Sequence, residues 1–230
     1  MSLPRYPEYK DSGVEWLGEV PEHWAVVRLK QVADVRLSNV DKHSVESQPS
    51  VRLCNYVDVY KNDRITSVIE FMQATASEEQ IARLSLLAGD VIITKDSEVP
   101  SDIGVPALVD ETIPDLVCGY HTALIRPTDA AGGYLHYLFK SDFVKAVFEV
   151  EATGMTRYAL GKYSIENLVH PAPPLEEQQT IAAFLDRETA KFDALTAEAN
   201  RAIALLQERR SALISAAVTG KIDVRGLASA

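Results

Sequence analysis

Apolar residues recur at intervals of seven along the last part of the chain. From residue 175 to about residue 218 the sequence contains neither Gly nor Pro. Two interleaved series of mostly apolar positions run through this segment: Leu185, Phe192, Ala199, Leu206 and Leu213, and Ile181, Glu188, Leu195, Ala202, Arg209 and Ala216. The spacing predicts one helix over residues 175–219, roughly 60 Å long, with a coiled-coil seam along one side.

An apolar seam of this length needs a partner. The helix either folds back onto its own domain or pairs with a second helix. The regular heptads favour pairing, and the alanines let two helices approach closely. The residues expected at the helix–helix contact are Ile181, Leu185, Phe192, Leu195, Ala199, Ala202, Leu206 and Leu213.

The preceding 150 residues, 25–174, alternate between strand-like and helix-like patterns. Residues 51–60 are rich in β-branched and aromatic side chains and predict a strand. Residues 90–94 predict a short buried strand, and the polar residues 95–97 that follow it predict a loop. Residues 116–125 predict further strand, interrupted at 119–121.

Two helices are predicted within the same region. Ser77 followed by Gln80 is typical of a capped helix start, and Gly89 fits the stop of that helix. Residues 134–150 carry a largely apolar helical pattern, and residues 151–162, with two glycines, predict a loop.

The two ends of the chain differ from this central domain. Residues 1–24 hold aromatics and prolines without helical or strand periodicity and predict an extended arm pinned by its aromatics. Residues 171–174 (PAPP) predict a stiff joint before the long helix, and residues 220–230 form a tail. The expected fold class is α+β: a mixed α/β domain followed by one long coiled-coil-forming helix.

Composition narrows the class of protein. The 47% hydrophobic and 24% charged content is ordinary for a folded soluble protein, and no apolar run is long enough for a membrane span. We therefore expect a cytoplasmic protein without a membrane partner. Cys54 and Cys118 have no CxxC spacing, so two reduced core thiols are favoured over the alternative of a disulfide. A net charge of −10, taken alone, argues against nucleic-acid binding, although a local patch decides that question.

Catalytic and metal motifs are absent from the sequence. Residues 215–222 fail the phosphate-loop pattern, because Ser215 stands where the first Gly belongs and Ile222 follows the Lys. No Asn/Asp-Pro-Pro-aromatic motif of the amino-methyltransferase type occurs, because Pro173 and Pro174 follow Ala172, and no nuclease motif occurs in order. His121 and His170 are better explained as loop and core residues than as metal ligands. We expect no catalytic residue and no metal site in this chain.

Four separated motifs stand out along the chain: YKDSGVEWLG with VPEHW at residues 9–24, GDVIITKD at 89–96, PPLEEQ at 173–178 and AAVTGKIDV at 216–224. Together they resemble one family, the specificity subunits of type I restriction–modification systems. The resemblance covers almost the whole chain, in the family's order. Full-length members carry two recognition domains and two long helices, whereas this chain carries one of each and is similar to a half-subunit.

The resemblance implies a non-catalytic DNA-recognition subunit. Residues 25–174 would be the target-recognition domain, reading half of a bipartite site in double-stranded DNA. The long helix would set the spacing, and two copies would pair antiparallel as a homodimer, giving an interrupted palindrome as the target. Methyltransferase subunits would dock on the helices, and a restriction motor subunit would join them. No cofactor is implied for this chain; S-adenosylmethionine, ATP and Mg are implied for those partner subunits.

Candidate DNA contacts come from the polar loops of the predicted recognition domain. They are Lys95, Asp96, Ser97, Tyr120, His121, Thr156, Arg157, Tyr158 and Lys162. Arg157 suits bidentate contact with guanine, while Thr156 and Lys162 suit phosphates. The alternative for each is an ordinary solvated loop residue.

Charge distribution bears on how DNA would be held. Residues 175–230 carry seven Lys/Arg and eight Asp/Glu, which leaves 16 against 25 in the first 174 residues. The chain's own attraction to DNA should therefore be weak, with basic partner subunits supplying much of the affinity. Two other functions stay open: an interaction module that captures methyltransferase or specificity subunits without reading DNA, and an enzyme built on His121, Asp96 and Arg157.

Overall fold

The computed structural model describes residues 4–226. The first three residues of the predicted arm and the last four of the predicted tail lie outside this range. The chain divides between Ala183 and Phe184 into two compact units. The first unit is a mixed α/β domain, and the second contains most of one long helix, so the predicted fold class is confirmed.

Fourteen strands, six α-helices and two short 3₁₀ helices are described between residues 4 and 226. The strands are β1 Tyr9–Asp11, β2 Glu19–Pro21, β3 Ala25–Arg28, β4 Ala33–Leu37, β5 Ser50–Cys54, β6 Arg64–Ile65, β7 Met72–Thr75, β8 Val91–Thr94, β9 Asp96–Ser97, β10 Pro106–Val109, β11 Leu116–Cys118, β12 Thr122–Pro127, β13 Tyr158–Ala159 and β14 Val169–Ala172. The helices are α1 Tyr56–Lys61, α2 Glu78–Leu84, α3 Gly132–Lys140, α4 Asp142–Glu151, α5 Lys162–Glu166 and α6 Leu175–Val218.

A five-stranded sheet in the order β4-β12-β8-β10-β6 forms the centre of the domain. Its strands pair antiparallel except for β10 with β6. Both faces of the sheet are covered. Ile93 of β8 and Ile125 of β12 lie in a core shared with α3 and α4, while Ile92 and Leu124, one residue away along each strand, lie in a second core. The near-continuous apolar run of β8 follows from this two-sided burial.

The second core is closed by a three-stranded sheet in the order β11-β5-β7. Cys118 of β11 lies opposite Cys54 of β5 in a parallel ladder. Both thiols are free and buried, as predicted, and burial raises the pKa of Cys118 to about 12. Three short antiparallel ladders, β1-β2, β13-β9 and β14-β3, complete the domain.

The long helix begins at Leu175, directly after the prolines, and ends at Val218. Its first turns belong to the domain: Gln178 and Ala182 are buried, and Ile181 packs against the core shared with α3 and α4. From residue 190 to residue 215 every residue is exposed, including Phe192, at 65%. The seam predicted from the heptads therefore divides into a covered start and an exposed remainder.

Local differences from the sequence predictions have identifiable causes. The strand predicted over residues 51–60 ends at Cys54, because the Asp58 carboxylate accepts a hydrogen bond from the Asn55 N–H at 2.8 Å and closes the first turn of α1. The single helix predicted over residues 134–150 is two helices. Ser141 lies between them with extended backbone, and its hydroxyl donates to the Leu138 carbonyl.

Two predicted loops and the arm also contain strand. Residues 96–97 form β9 and pair with β13, which lies inside the loop predicted over residues 151–162. The arm contains the β1-β2 hairpin, whose strands are only three residues long and too short to show a periodic pattern. Its aromatics do pin it: Trp16 stacks on Phe143 with ring centroids 5.3 Å apart. The capped start of α2 is confirmed, since Ser77 and Gln80 bond reciprocally, but α2 ends at Leu84, before Gly89.

Candidate nucleic-acid interface

Three segments that are distant in sequence meet beside the carboxyl end of β8. Asp96 lies between Lys95 and His121, with its Oδ2 2.9 Å from the Lys95 Nζ and 2.5 Å from the His121 Nδ1. Lys95 also lies over the Tyr120 ring, 5.3 Å from its centroid. These four residues, predicted separately as DNA contacts, therefore form one hydrogen-bonded and aromatic cluster.

The third segment arrives through the short ladder between β13 and β9. Tyr158 pairs with Ser97, and Ala159 pairs with Asp96. This register places the exposed loop before β13, which includes Thr156 and Arg157, next to the cluster.

These segments line a cleft together with α1. Of the predicted contacts, Asp96, Ser97, His121 and Arg157 line it; the other lining residues are Lys42, Tyr56, Tyr60, Glu98, Val99 and Asp102. A neighbouring depression shares Lys42, Tyr56 and His121 and adds Tyr120. Concave polar surface with exposed aromatics and cations is the kind of surface that contacts base edges and sugar–phosphate backbone.

The tyrosines of α1 were missed by the sequence analysis. Tyr56 and Tyr60 stack with ring centroids 5.6 Å apart, and the Tyr60 hydroxyl donates to the Asp102 Oδ2 at 2.8 Å. The signal was present, because an i, i+4 aromatic pair shares one face of a helix. The strand prediction over residues 51–60 concealed it.

Charges in the cleft are partly compensated. Burial alone raises the pKa of the Asp96 carboxyl, but hydrogen bonds from Lys95 and His121 outweigh it, so the pKa lies below its ordinary value. The pKa of Tyr60 is raised, first by its hydrogen bond to Asp102 and then by the charge of that carboxylate. Burial, followed by the charge of Asp102, raises the pKa of Tyr56. Asp96 is therefore ionised and both tyrosines are protonated at neutral pH.

Five predicted contacts are not among the residues that line the cleft. Lys95 and Tyr120 belong to the cluster around Asp96, and Tyr158 lies in β13. Lys162 begins α5, and its Nζ lies 3.3 Å from the Glu166 carboxylate in an i, i+4 pair. Thr156 is exposed in the loop before β13 but does not line the cleft. Neither position provides geometry that singles out a phosphate.

The base of α6 is fastened to the arm by polar contacts. The Tyr6 hydroxyl donates to Glu177 Oε1 at 2.5 Å, and the His23 Nε2 lies 2.9 Å from Glu177 Oε2. Burial alone raises the pKa of Glu177, but the hydrogen bonds, first that from Tyr6, bring it below its ordinary value. The pKa of Tyr6 is raised to about 12 by burial and by this carboxylate. The arm and the first turn of the helix thus form one structural unit.

Within residues 4–226, no three or more His, Cys, Asp or Glu side chains are grouped as metal ligands would be. Over the same range, no helix combines the length and the apolar character that crossing a membrane requires.

Comparison with known proteins assigns the family. The family model described as "Type I restriction modification DNA specificity domain" matches residues 21–205. The chain is 24% identical over 203 residues to a protein of Methanocaldococcus jannaschii assigned as the specificity subunit of type I restriction enzyme MjaX, covering 86% of this chain and 46% of that protein. It is 21% identical over 229 residues to the type I restriction enzyme MjaVIII specificity subunit of the same organism, covering 96% and 51%.

Solved structures show the same fold. A chain from a structure of complex assembly and conformational transition in the type I R-M system superimposes with a TM-score of 0.65 at 21% identity, covering 91% of this chain and 48% of that one. The HsdS subunit from Thermoanaerobacter tengcongensis superimposes with a TM-score of 0.55 at 20% identity, covering 82% and 42%.

The mixed α/β domain followed by a long helix is thus the fold of type I restriction specificity proteins. The two curated relatives are named as specificity subunits of restriction enzymes. The chain belongs to the type I restriction modification DNA specificity domain family, as the sequence motifs predicted. It is a non-catalytic specificity polypeptide. It spans about half the length of the curated relatives it matches.

Proposed function

We propose that the α/β domain reads one half of a bipartite site in double-stranded DNA, as the specificity component of a type I restriction–modification complex. The observation that carries this proposal is the convergence of Asp96, Ser97, His121 and Arg157 on one cleft, with Tyr120 in the depression beside it. Residues predicted from three separate loops meet at one surface, on a chain of the specificity family. Convergence of this kind is expected of a binding surface and not of unrelated solvated loops.

The charges that line the cleft suit contacts with base edges better than contacts with phosphates. Its carboxylates, Asp96, Glu98 and Asp102, face two cations, Lys42 and Arg157. Phosphate binding needs an excess of positive charge, whereas base edges in the major groove present both donors and acceptors. Arg157 is exposed and matches the two acceptors of guanine. The acidic balance of the domain supports weak binding by the chain alone, with partner subunits supplying phosphate contacts.

The exposed part of α6 supports self-association. The side chains of Phe192, Leu195, Leu206 and Leu213 are each about 60% exposed, between 59% and 65%. Two inverted copies would bury both stripes and close the assembly with two-fold symmetry. Such a homodimer would present two identical reading domains, so its target would be an interrupted palindrome. Methyltransferase subunits docked on the helices would bring S-adenosylmethionine, and a restriction motor subunit would bring ATP and Mg.

The test is selection of DNA by the assembled complex. The chain is purified with the modification subunits of its own system and incubated with a randomised duplex pool, and the bound duplexes are sequenced. The expected result is an interrupted palindrome, with Arg157→Ala relaxing the preference at one position of each half-site. The matched control is Arg28→Ala, at an exposed arginine outside the cleft, which should leave the motif unchanged.

Other outcomes of the selection are equally informative. A complex that assembles but selects no motif would contradict DNA reading and favour an interaction module that captures partner subunits. A motif that is not palindromic would contradict the homodimer while leaving DNA reading intact.

A further inference from the structure

We propose, on the basis of the DNA-reading function above, that the Tyr60–Asp102 pair determines specificity by accepting a hydrogen bond from the exocyclic amino group of a cytosine. Together with Arg157, this pair would read a G·C base pair from the major-groove side. The inference assigns a role to α1, which the sequence motifs left without one.

The Tyr60–Asp102 pair can accept further hydrogen bonds but has no donor left to offer. A phenol carries a single donor, and the Tyr60 hydroxyl commits it to the Asp102 Oδ2 at 2.8 Å. A carboxylate carries only acceptors. What the pair presents to an incoming group is therefore the lone pairs of the phenol oxygen and of the Asp102 carboxylate. Tyr60 is 42% exposed, Asp102 is partly exposed, and both line the cleft, so these acceptors are accessible from it.

Acceptors select donors among the base edges. In the major groove the donors are the N4 amino group of cytosine and the N6 amino group of adenine, and carboxylates accept from cytosine N4. A phosphate, which offers only acceptors, is repelled. The cleft adds two further carboxylates, Asp96 and Glu98, beside this pair, which strengthens the bias against phosphate.

Arg157 favours cytosine over adenine at this position. Asp102 and Arg157 line the same cleft, and the charges of both act on the hydroxyl of Tyr56. A guanidinium has only donors and suits the O6 and N7 acceptors of guanine. An acceptor beside a guanidinium complements the edge of a G·C pair, where two acceptors stand next to one donor. An A·T pair offers no such pair of acceptors to Arg157.

The experiment uses the complex of the chain with its modification subunits and the same randomised duplex pool. Asp102→Asn should lower the preference for cytosine at one position by tenfold or more, because a good base contact discriminates to about that degree. Tyr60→Phe, which removes the hydroxyl but retains the carboxylate, should lower it less and at the same position. Asp129→Asn removes an equal charge at an exposed carboxyl outside the cleft and should leave that position unchanged.

A chemical probe makes the assignment specific to the amino group. In the selected duplex, the cytosine at that position is replaced by 2-pyrimidinone, which lacks the N4 amino group. Wild-type affinity should fall about tenfold or more relative to an identical replacement outside the motif. The Asp102→Asn complex should lose less affinity from the replacement than wild type, because its contact with the amino group is already weakened.

The possible outcomes separate this inference from the function on which it rests. If Asp102→Asn and Tyr60→Phe keep the motif while Arg157→Ala relaxes it, the domain reads DNA and the Tyr60–Asp102 assignment is wrong. An equal effect of Asp129→Asn would also overturn it, since charge alone would then explain the change. If the wild-type complex selects no motif and Arg157→Ala changes nothing, the DNA-reading function itself fails.

Discussion

The buried amide of Gln178 connects the first turn of α6 to the start of α3. Its Oε1 accepts a hydrogen bond from the Ala131 N–H at 2.9 Å, and its Nε2 donates to the Pro173 carbonyl at 2.8 Å. Gln178 is only 3% exposed, so no solvent replaces these bonds. One side chain therefore satisfies two backbone groups on two elements and fixes the beginning of the helix on the domain.

Replacing Gln178 with Ala should destabilise the domain by about 2–4 kcal/mol, because the Ala131 N–H and the Pro173 carbonyl would be left buried without partners. The measurement is urea unfolding of the two proteins. Gln179 offers a matched control, since it is the same residue type one position later and is exposed. Gln179→Ala should change the free energy of unfolding by less than about 0.5 kcal/mol. Equal effects of the two substitutions would show that the amide contacts do not stabilise the domain.

Asp96 contributes to the stability of the domain, and this contribution depends on pH. Because the pKa of its carboxyl is lowered in the folded state, the ionised group contributes stability above the ordinary value of 3.8, and that contribution is lost as pH falls through the folded value. Asp96→Asn should therefore cost about 1–3 kcal/mol at neutral pH. The difference from wild type should narrow below about pH 4.

The measurement is the free energy of unfolding of wild type and variant across the acid range. Asp129→Asn, at an exposed carboxyl, serves as the control for the lost charge and should be close to neutral throughout. A wild-type advantage of unchanged size in strong acid would mean that the contacts with Lys95 and His121 do not depend on ionised Asp96.

Gly119 sets the position of the cleft residues that follow it. Its N–H donates to the Cys54 carbonyl at 2.8 Å, and a Cβ at this position would lie 2.6 Å from that same oxygen. Since the obstacle is backbone, Gly119→Ala should shift Tyr120 and His121 and cost about 1–3 kcal/mol. The variant should also lose sequence preference in the DNA selection. Gly161→Ala is the control, because a Cβ there meets nothing within 4 Å; an equally stable, equally selective Gly119→Ala would refute the close approach.

The sequence predicted those elements whose pattern is repeated or capped. The heptads of α6 and the reciprocal bonds of Ser77 and Gln80 are local signals, and both elements were found. Elements that depend on partners distant in sequence were missed. β9 is a strand only because β13 pairs with it, and two residues of each carry no periodic signal. The break at Ser141 was hidden because the apolar positions continue on both sides of it.

The sequence also predicted only part of the candidate site, because it reveals polar loop residues but not contacts between residues distant in sequence. Asp96, His121 and Arg157 were chosen as polar residues in loops, and the fold brings them to one cleft. Tyr60 and Asp102 were not chosen, because their relationship is a contact between residues 42 positions apart. No spacing rule links a helix with the segment after β9. Lys162 was predicted from its charge to contact phosphate. In the structure its Nζ lies beside the Glu166 carboxylate.

The exposed stripe of α6 makes a prediction about association. Leu206 is the fourth of the five positions in its heptad series and is 64% exposed. If two helices pair antiparallel, each dimer buries this residue twice, and burial of one leucine is worth about 1.5–3 kcal/mol. Leu206→Glu should therefore weaken dimerisation by at least about a hundredfold. Gln207→Glu introduces the same charge one residue away, off the predicted seam, and should leave association nearly unchanged.

Sedimentation velocity at several concentrations measures the effect directly. Wild type should sediment with a mass near twice 25.3 kDa, Leu206→Glu near that of one chain, and Gln207→Glu like wild type. Because the substitution lies in the second compact unit, unfolding of the α/β domain should be unaffected, which separates lost pairing from general destabilisation. A wild-type chain that is monomeric at all concentrations, with an unchanged Leu206→Glu variant, would show that the stripe binds something other than a second copy. The palindromic target would then have to be abandoned even if the domain reads DNA.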